Sequence, residues 1–314
     1  MIVLSMITKN SYEKVGNYFD KVWESSLQVP YDLIILVDDS DTDKTREYVK
    51  KFAQEHGKEV VVERSRLYGW HKPTRASARQ TAIDIFFQNT TAEWLFFLDD
   101  DVILRDGWWN EASEYVKEER VGLIWGVEIT ELWQDRLAYI RARGIDPISY
   151  SIQNFKIRGG LHDTILRREA LDGIVLPPWL NVYEDAWVKL FVECRGFLWR
   201  VVKTGAIHLR REGKIGYSDH DFKLATRVDG VLRLQPVSLS LLIKALVGLP
   251  VYLYYAKKAG VNGWEMWLSR VRYRYQALRF RRKCRLDPCQ VATNYGFPQM
   301  RSRIEKCLDL NDIQ

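Results

Sequence analysis

Short apolar runs alternate with amphipathic stretches over the first hundred residues. The runs Ile2–Ile7, Leu33–Val37 and Trp94–Leu98 have the length and side chains of buried strands, and Val60–Glu63 predicts another. Between them the apolar residues recur at helical spacing, as they do from Val15 to Trp23. Because a parallel sheet is covered by helices on both faces, the alternation predicts an α/β fold with a mostly parallel sheet.

The pattern is less regular beyond residue 110. It predicts strands at Val121–Thr130, Asp163–Arg167, Phe197–Lys203 and Ala206–Leu209, a helix or lid at Glu131–Arg143, and a helix at Glu184–Cys194. Beyond about Val228 the chain becomes apolar and basic, and this part predicts helices.

Acidic clusters follow two of the predicted strands. Asp38-Asp39 closes the second strand, and Asp99-Asp100-Asp101 closes the run at Trp94–Leu98. Adjacent like charges are costly unless a cation or hydrogen bonds compensate them. Mg²⁺ and Mn²⁺ prefer such oxygen ligands, and the carboxyl ends of parallel strands meet at one edge where ligands bind. An acidic turn that caps the next helix is the alternative, and the convergence of two clusters favours a site.

Cations and a second acidic pair extend this pattern. Lys72, Arg75 and Arg79 lie in a loop and the first turns of a predicted helix, whose N-terminus also favours phosphate. The alternative for each is a solvated basic helix face. Glu184 and Asp185 precede an apolar helix, where they act either as a catalytic base pair or as a helix cap.

Charge and cysteine content limit the remaining possibilities. The net charge of +6 is concentrated between Val251 and Arg285, where ten Lys or Arg accompany one acid. None of the four cysteines has C-x-x-C spacing, which argues against a zinc site and predicts reduced thiols. A bridge within the tail among Cys284, Cys289 and Cys307 is the alternative. The apolar N-terminus lacks a basic region and a cleavage site, so we expect a first strand and not a signal peptide.

The order of these acidic and basic motifs along the chain resembles that of a known enzyme family. The acidic turn Val37–Asp43, the arginine-containing helix at 75–79, the triplet Asp99–Asp101 and the later Glu184-Asp185 together resemble the family 2 glycosyltransferases with the GT-A fold. The similarity covers about residues 1 to 215. It implies a catalytic domain over 1–227, with a nucleotide-binding half at 1–110 and an acceptor-binding half at 111–227. Residues 228–314 are then an amphipathic, basic helical region.

The resemblance implies a role for each motif residue. In that family the acidic turn contacts the nucleotide base, the Asp-x-Asp motif contacts the ribose and a divalent metal, and an acidic pair supplies the base. The residues that it assigns to the nucleotide are Thr8, Asp38, Asp39, Lys72, Arg75, Arg79, Asp99, Asp100 and Arg210. Those that it assigns to Mn²⁺ or Mg²⁺ are Asp101, His208 and Asp99, and for His208 a structural role in an apolar strand is the alternative. Asp185 is the expected base, with Glu184 orienting the acceptor.

Glycine and tryptophan residues are the candidates for acceptor binding. Gly159-Gly160 resembles the family's acceptor loop, and a hairpin turn at the same place is compatible with that role. Trp179, with Trp125 and Trp133, is a candidate sugar-stacking wall, for which core packing is the alternative.

The composition of the tail indicates which kind of surface it contacts. Leu239–Tyr255 is apolar but short, and it contains Lys244 and Pro250, so it is not expected to span a bilayer. The following aromatic and basic helices fit an anionic membrane surface. Docking on the core or a dimer contact is one alternative, and nucleic acid, which we do not expect as a partner, is another.

These features combine into one hypothesis. According to this hypothesis, the protein is a metal-dependent, inverting glycosyltransferase on the cytoplasmic face of the cell membrane. We expect its donor to be GDP-mannose in preference to a UDP-sugar, and its acceptor to be lipid-linked or a glycolipid. The rivals are a nucleotidyltransferase, whose glycine-rich signature is missing at Thr8–Ser11, and a non-catalytic membrane- or nucleic-acid-binding module.

Overall fold

The fold is a mixed α/β structure with one large sheet and many helices. It is known from a computed structural model, which describes residues 1–130, 134–209, 218–284 and 286–310. The strands are β1 (Ile2–Thr8), β2 (Tyr31–Asp38), β3 (Glu59–Glu63), β4 (Trp94–Leu98), β5 (Val102–Leu104), β6 (Val121–Thr130), β7 (Asp163–Arg167) and β8 (Leu198–His208).

Helices connect these strands and form the tail. They are α1 (Ser11–Val15), α2 (Phe19–Ser26), α3 (Lys44–Glu55), α4 (Arg75–Asn89), α5 (Trp108–Tyr115), α6 (Gln134–Ala142), α7 (Pro147–Arg158), α8 (Arg168–Leu171), α9 (Glu184–Cys194), α10 (Asp219–Leu232), α11 (Leu239–Val247), α12 (Leu249–Ala259), α13 (Gly263–Lys283), α14 (Pro288–Asn294) and α15 (Pro298–Leu308).

The chain forms two compact units. One contains residues 1–132 and 159–212, and the other contains residues 133–158 and 213–314. This division differs from the expected boundary at residue 227, because α6 and α7 group with the tail helices although they precede β7 in the chain. Packing between distant segments decided this grouping, and the local sequence pattern carries no record of it.

All eight strands belong to one sheet in the first unit, in the order β3-β2-β1-β4-β7-β6-β8-β5. The strands β1, β2, β3 and β4 pair in parallel, β7 is antiparallel to both β4 and β6, and β6 is parallel to β8. The predicted mostly parallel sheet is therefore confirmed. Its core includes fully buried Leu4, Ile34 and Phe96 beneath the covering residues Phe19 and Trp23.

Beyond β4 the structure differs from the expected elements in two ways. The two strands predicted at Phe197–Lys203 and Ala206–Leu209 are one strand, β8, whose register against β6 shifts between Gly126 and Glu128. A bulge of this kind bends a strand without ending it. The short strand β5 and the helices α5 and α7 were not anticipated.

The second unit consists of helices with a small apolar core. Val237, Leu242, Ala277 and Leu278 form its buried cluster. A disulfide joins Cys284 to Cys307, so the alternative bridge within the tail is present. None of the four cysteines, all within the described residues, is free, so the expectation of reduced thiols is wrong. Among the residues described, no single helix is long and apolar enough to cross a membrane, whereas α11 and α12 together meet that test but are bent by 57°.

Candidate active site

The candidate site lies at the edge of the sheet where the parallel strands end. Asp38 ends β2, the aspartate triplet follows β4 and His208 ends β8, while Asp163 begins the antiparallel strand β7 at the same edge. The predicted convergence of the two acidic clusters is thus confirmed, because β2 and β4 both pair in parallel with β1.

His208 lies between two carboxylates. Its Nε2 is 3.0 Å from Asp101 Oδ1, and its Nδ1 is 3.0 Å from Glu128 Oε1. The strands place these groups, since β5 begins directly after Asp101 and pairs Val102 with His208. Burial by itself lowers the pKa of His208, but hydrogen bonds and charges of Asp101 and then Glu128 outweigh it and raise the pKa to about 10.

Asp101 and His208 suit a divalent cation only in part. Their carboxylate oxygen and imidazole nitrogen are donors that Mn²⁺ accepts. No group of three or more His, Cys, Asp or Glu side chains within the described ranges is arranged to hold a metal ion. The pair therefore fits a cation that takes its other ligands from phosphate and water, as is usual for Mg²⁺ with nucleotides.

Asp99, which was also expected at the metal, is paired with Arg79 instead. Arg79 is only 2% exposed, its Nη2 donates a hydrogen bond to Asp99 Oδ1, and its guanidinium lies 4.6 Å from the centre of the Phe97 ring. Burial raises the pKa of Asp99, but the charge of Arg79 outweighs it and, with His208 and His162, holds this pKa below its usual value. Asp99 is still 28% exposed, so part of the carboxylate is accessible.

Two nitrogens of the Arg79 side chain have no hydrogen-bond acceptor among the described residues. Its Nε and Nη1 are buried and make no hydrogen bond with any residue that the structure describes. Unsatisfied buried donors are costly, more so on a charged group. Their presence beside Asp99 indicates a place where an anionic ligand completes the structure.

The middle aspartate faces a different element. Asp100 Oδ2 accepts a hydrogen bond from the hydroxyl of Ser11 at the start of α1. Burial and then the charge of Asp101 raise the pKa of Asp100 to about 7. This contact connects α1 to the triplet, whereas the sequence assigned Asp100 to the nucleotide.

The two aspartates of the acidic turn have contacts within the protein. Asp38 is fully buried, and its oxygens accept hydrogen bonds from Thr8 Oγ1 at 2.7 Å, from the amide and hydroxyl of Ser40, and from Arg46 Nε at 2.7 Å. Thr8 and Asp38, both expected at the nucleotide, therefore hold β1 and β2 together.

Asp39 connects two strand ends in a similar way. Its Oδ1 accepts the amide of Ser65 at 3.0 Å and its Oδ2 accepts the Ser65 hydroxyl at 2.5 Å. Arg46 and Ser65 supply the compensation that adjacent carboxylates need, and neither was singled out from the sequence.

The first backbone amides of α4 donate hydrogen bonds within the protein. Thr74 and Ser77 form a capping box, Arg75 N donates to Asn181 Oδ1 at 3.3 Å and Ala76 N donates to Leu180 O at 3.2 Å. The expectation that this helix end favours phosphate is wrong, because its first amides already have acceptors. The side chains of Lys72 and Arg75 are exposed, in contrast to that of Arg79.

Glu184 and Asp185 form the first turn of α9, close to a glycine pair. Gly159 has a φ of +70°, and a Cβ atom there would lie 2.6 Å from the backbone oxygen of Asp185. A Cβ atom on Gly160 would lie 2.4 Å from Trp125 Nε1. Only glycine fits this approach, so the Gly159-Gly160 turn places the chain directly against the acidic pair.

Two tryptophans of the expected sugar-stacking wall are buried. Trp179 is 4% exposed and Trp125 is 2% exposed, and the indole nitrogen of Trp125 donates to His162 Nε2 at 3.1 Å. Both pack in the core, which was the alternative. Trp133 and Arg210, also named as candidates, lie outside the described residues.

Comparisons with known proteins agree with this geometry. The family model described as Glycosyl transferase family 2 matches residues 4–173. The chain belongs to glycosyl transferase family 2. The match begins in β1 and ends after β7 and α8, so it includes the acidic turn, α4 and the aspartate triplet.

Solved structures support the GT-A fold of this family 2 glycosyltransferase. It is 15% identical to the mannosyltransferase PcManGT from Pyrobaculum calidifontis, solved in complex with GDP-Man and Mn²⁺, with a TM-score of 0.50 over 99% of this chain and 86% of that chain. It is 14% identical to TarS residues 1–349 from S. aureus in complex with UDP-GlcNAc, with a TM-score of 0.51 over 99% and 91% of the two chains. No curated protein is a significant match to the sequence.

Glu128 is a further residue of this transferase's site that the sequence did not identify. Glu128 lies in the strand β6, in which Trp125 and Val127 are buried. A single acidic residue in a buried strand indicates that its carboxylate is paired with another polar group. Its role became visible only when β8 brought His208 beside it.

Glu184 should make the stability of this glycosyltransferase depend on pH. It is 7% exposed, and burial and then the charge of Asp185 raise its pKa to about 7, although Arg75 and Arg79 oppose this. An unfolded glutamate has a pKa of about 4.3, which is lower than that of folded Glu184, so protonation of Glu184 adds to the free energy of unfolding. This contribution is complete below about pH 4 and disappears as the pH rises through about 7. Relative to Glu184→Gln, the wild type should lose about 2 kcal/mol of unfolding free energy between pH 5 and pH 8.

Urea unfolding at both pH values measures this difference. Glu169→Gln removes an exposed carboxyl from the adjacent helix α8 and serves as the matched control, which should follow the wild type at both pH values. Parallel pH profiles of the wild type and Glu184→Gln would show that Glu184 ionises normally.

Proposed function

We propose that this family 2 glycosyltransferase transfers a sugar, with inversion, from a nucleotide-sugar donor to a lipid-linked or glycolipid acceptor, with Mn²⁺ or Mg²⁺ as cofactor. The observation that carries the proposal is the Asp101–His208 pair at the strand ends, together with Arg79, which pairs with Asp99 and keeps two buried nitrogens without a hydrogen-bond partner. A buried cation with free donors and a neighbouring metal-ligand pair together match the needs of a diphosphate.

Each residue of the site has a distinct proposed task. Arg79 donates through Nε and Nη1 to the diphosphate, while its Nη2 holds Asp99 in place. Asp99 accepts from the ribose through its accessible part. Asp101 and His208 hold the cation, and Glu128 fixes the imidazole by accepting from Nδ1. When bound, the cation neutralises the charge that develops on the departing nucleoside diphosphate.

Asp185 is the proposed base. It is partly exposed at the beginning of α9, whereas Glu184 beside it is buried. A base must reach the proton of the incoming hydroxyl, so the accessible carboxylate suits this task and the buried one suits positioning. Attack from the side opposite the leaving group inverts the anomeric carbon.

The donor and the location are parts of the same proposal. GDP-mannose is our first choice of donor and a UDP-sugar the second, and similar folds are solved with GDP-Man and with UDP-GlcNAc. We propose a lipid-linked acceptor because the tail is basic and apolar, and we propose the cytoplasmic face of the cell membrane as the location because its anionic lipids attract such a tail.

Thermal unfolding tests the donor site. GDP or UDP at about 100 times its dissociation constant, with Mn²⁺, should stabilise the protein by about 2.7 kcal/mol, which raises Tm by about 5 °C. We expect the guanine nucleotide to reach this shift at a lower concentration than UDP, and we expect Asp101→Asn to remove the part of the shift that depends on Mn²⁺.

Asp106→Asn is the matched control for this experiment. It makes the same chemical change at an exposed aspartate five residues along the chain from Asp101. If neither nucleotide raises Tm in the presence of Mn²⁺ or Mg²⁺, the proposed donor site is wrong.

A further inference from the structure

Three consecutive tail helices expose large apolar side chains. Those on α11, α12 and α13 are between 42% and 71% exposed, and they are Leu239, Ile243, Leu246, Val247, Val251, Leu253, Tyr254, Trp264, Leu268 and Tyr275. We call these ten residues the apolar surface. Isolated exposed apolar residues are ordinary in soluble proteins, but a concentration of ten within 37 consecutive positions indicates a binding surface.

The helix α11 is apolar on two faces. Leu242 and Ala245 are buried, and Leu242 belongs to the core cluster with Ala277 and Leu278 of α13. Leu239, Ile243 and Val247 follow one another at intervals of four residues and are exposed. A surface helix of a soluble domain has polar residues on its outer face, so the outer face of α11 is suited to an apolar environment.

Neither α11 nor α12 is long enough by itself to cross a bilayer. At about 1.5 Å per residue, the 9 residues of α11 and the 11 residues of α12 extend about 14 and 17 Å, against a hydrocarbon core of about 30 Å. The bend of 57° between them prevents a single straight crossing. Helices of this length with apolar outer residues fit the plane of a lipid headgroup region.

Basic residues accompany the apolar surface. Lys257 and Lys258 lie in the last turn of α12, and Arg270, Arg272 and Arg279 are exposed on α13, while Glu265 is the one acid in these two helices. Contact between two copies of such a surface would bring like charges together, which is unfavourable. Anionic lipid headgroups complement the charge, and the exposed Trp264, Tyr254 and Tyr275 suit the interface between headgroups and acyl chains.

We propose that the apolar surface binds an anionic lipid bilayer, with α11 and α12 in the headgroup plane and the basic residues of α12 and α13 against the headgroups. The proposal rests on the proposed function only in that a lipid-linked acceptor gives the binding a purpose. Vesicle binding is measured without donor or acceptor, so it fails or succeeds independently of sugar transfer.

Flotation of the full-length protein with vesicles tests the apolar part. The wild type should float with vesicles of phosphatidylcholine and phosphatidylglycerol at 3:1, and not with phosphatidylcholine alone. The double variant Leu246→Asp/Val247→Asp should lose flotation, because it places two charges on the outer face of α11. Phe297→Asp is the control, since Phe297 is 65% exposed but lies before α15, outside the apolar surface.

A second pair of variants tests the charge. Lys257→Gln/Lys258→Gln should weaken binding to the anionic vesicles about 30-fold, because each basic residue near such a surface contributes about 1 kcal/mol. Arg303→Gln/Lys306→Gln removes two exposed charges from α15 and should bind like the wild type. High salt should reduce the binding of the wild type more than that of the lysine variant.

Three results would overturn the proposal. They are failure of the wild type to float, flotation of the Leu246→Asp/Val247→Asp variant like the wild type, and a dimer in sedimentation equilibrium that this variant alone abolishes. The last result would make a second copy the partner. The thermal response of every variant to nucleotide and Mn²⁺ should equal that of the wild type, which separates lost membrane binding from a damaged donor site.

Discussion

Asp185→Asn should lower the rate of sugar transfer about 10³-fold while leaving nucleotide binding intact. A positioned general base contributes about 10²- to 10⁴-fold to a reaction, and an amide cannot accept the proton of the acceptor hydroxyl. Asp185 is partly exposed in the first turn of α9, and Gly159 keeps the facing backbone close to it. The substitution changes neither the size of the side chain nor the contact of Oδ1 with the amide of Ala186, which is 2.8 Å long.

The measurement is the initial rate of transfer with donor and acceptor at saturation, together with the nucleotide-induced change of Tm. Asp172→Asn makes the same change at an exposed aspartate of the same unit and should transfer at the wild-type rate. A near-normal rate for Asp185→Asn would exclude it as the base. If Glu184→Gln alone abolished transfer, the two acids would have exchanged roles.

Arg79→Ala should weaken nucleotide binding about 10- to 100-fold and destabilise the protein. The side chain is buried, pairs with Asp99 and stacks on Phe97, so its removal leaves a carboxylate without its counter-charge and a cavity over the ring. Hydrogen bonds to charged groups are worth about 1.5–3 kcal/mol, and because Asp99 retains contact with water we expect a loss of about 2 kcal/mol. The loss of affinity corresponds to the two donors that Arg79 would offer to the diphosphate.

Calorimetric titration with nucleotide and urea unfolding separate the two effects. Arg79→Lys should keep part of the stability through its charge but not the affinity, because an ammonium group cannot present the planar fork of donors. Arg120→Ala, at an exposed arginine, is the control and should change neither quantity. Unchanged affinity in Arg79→Ala would mean that its unsatisfied nitrogens do not face the donor.

Local pattern was sufficient for much of the fold. β7 and α9 have the predicted bounds, and α4 begins directly after Thr74, because in each case the apolar spacing and the end signals agree. β5 was missed because its three residues pair with β8 about a hundred positions later, and nothing in so short a segment indicates that pairing.

The site was predicted in outline but not in its pairings. From the sequence we predicted that the aspartate triplet, Arg79 and Glu184-Asp185 belong to one site, because each is charged and lies near the end of a strand or helix. It could not show that Asp38 is enclosed by Thr8, Ser40 and Arg46, or that Asp100 bonds to Ser11. Charge alone does not tell a carboxylate that binds a ligand from one that holds two strands together.

By itself, the sequence determined the alternating α/β pattern, the edge of the sheet at which the acids meet, and the basic, apolar character of the tail. These follow from periodicity and composition, which are local properties of the chain. Only the tertiary structure decided that Arg79 is buried with two free donors, that Glu128 holds His208 against Asp101, and that the outer face of α11 is uncovered. The physical reason is that burial and pairing depend on which distant segments pack together, and a charge acquires its role from the neighbours that this packing provides.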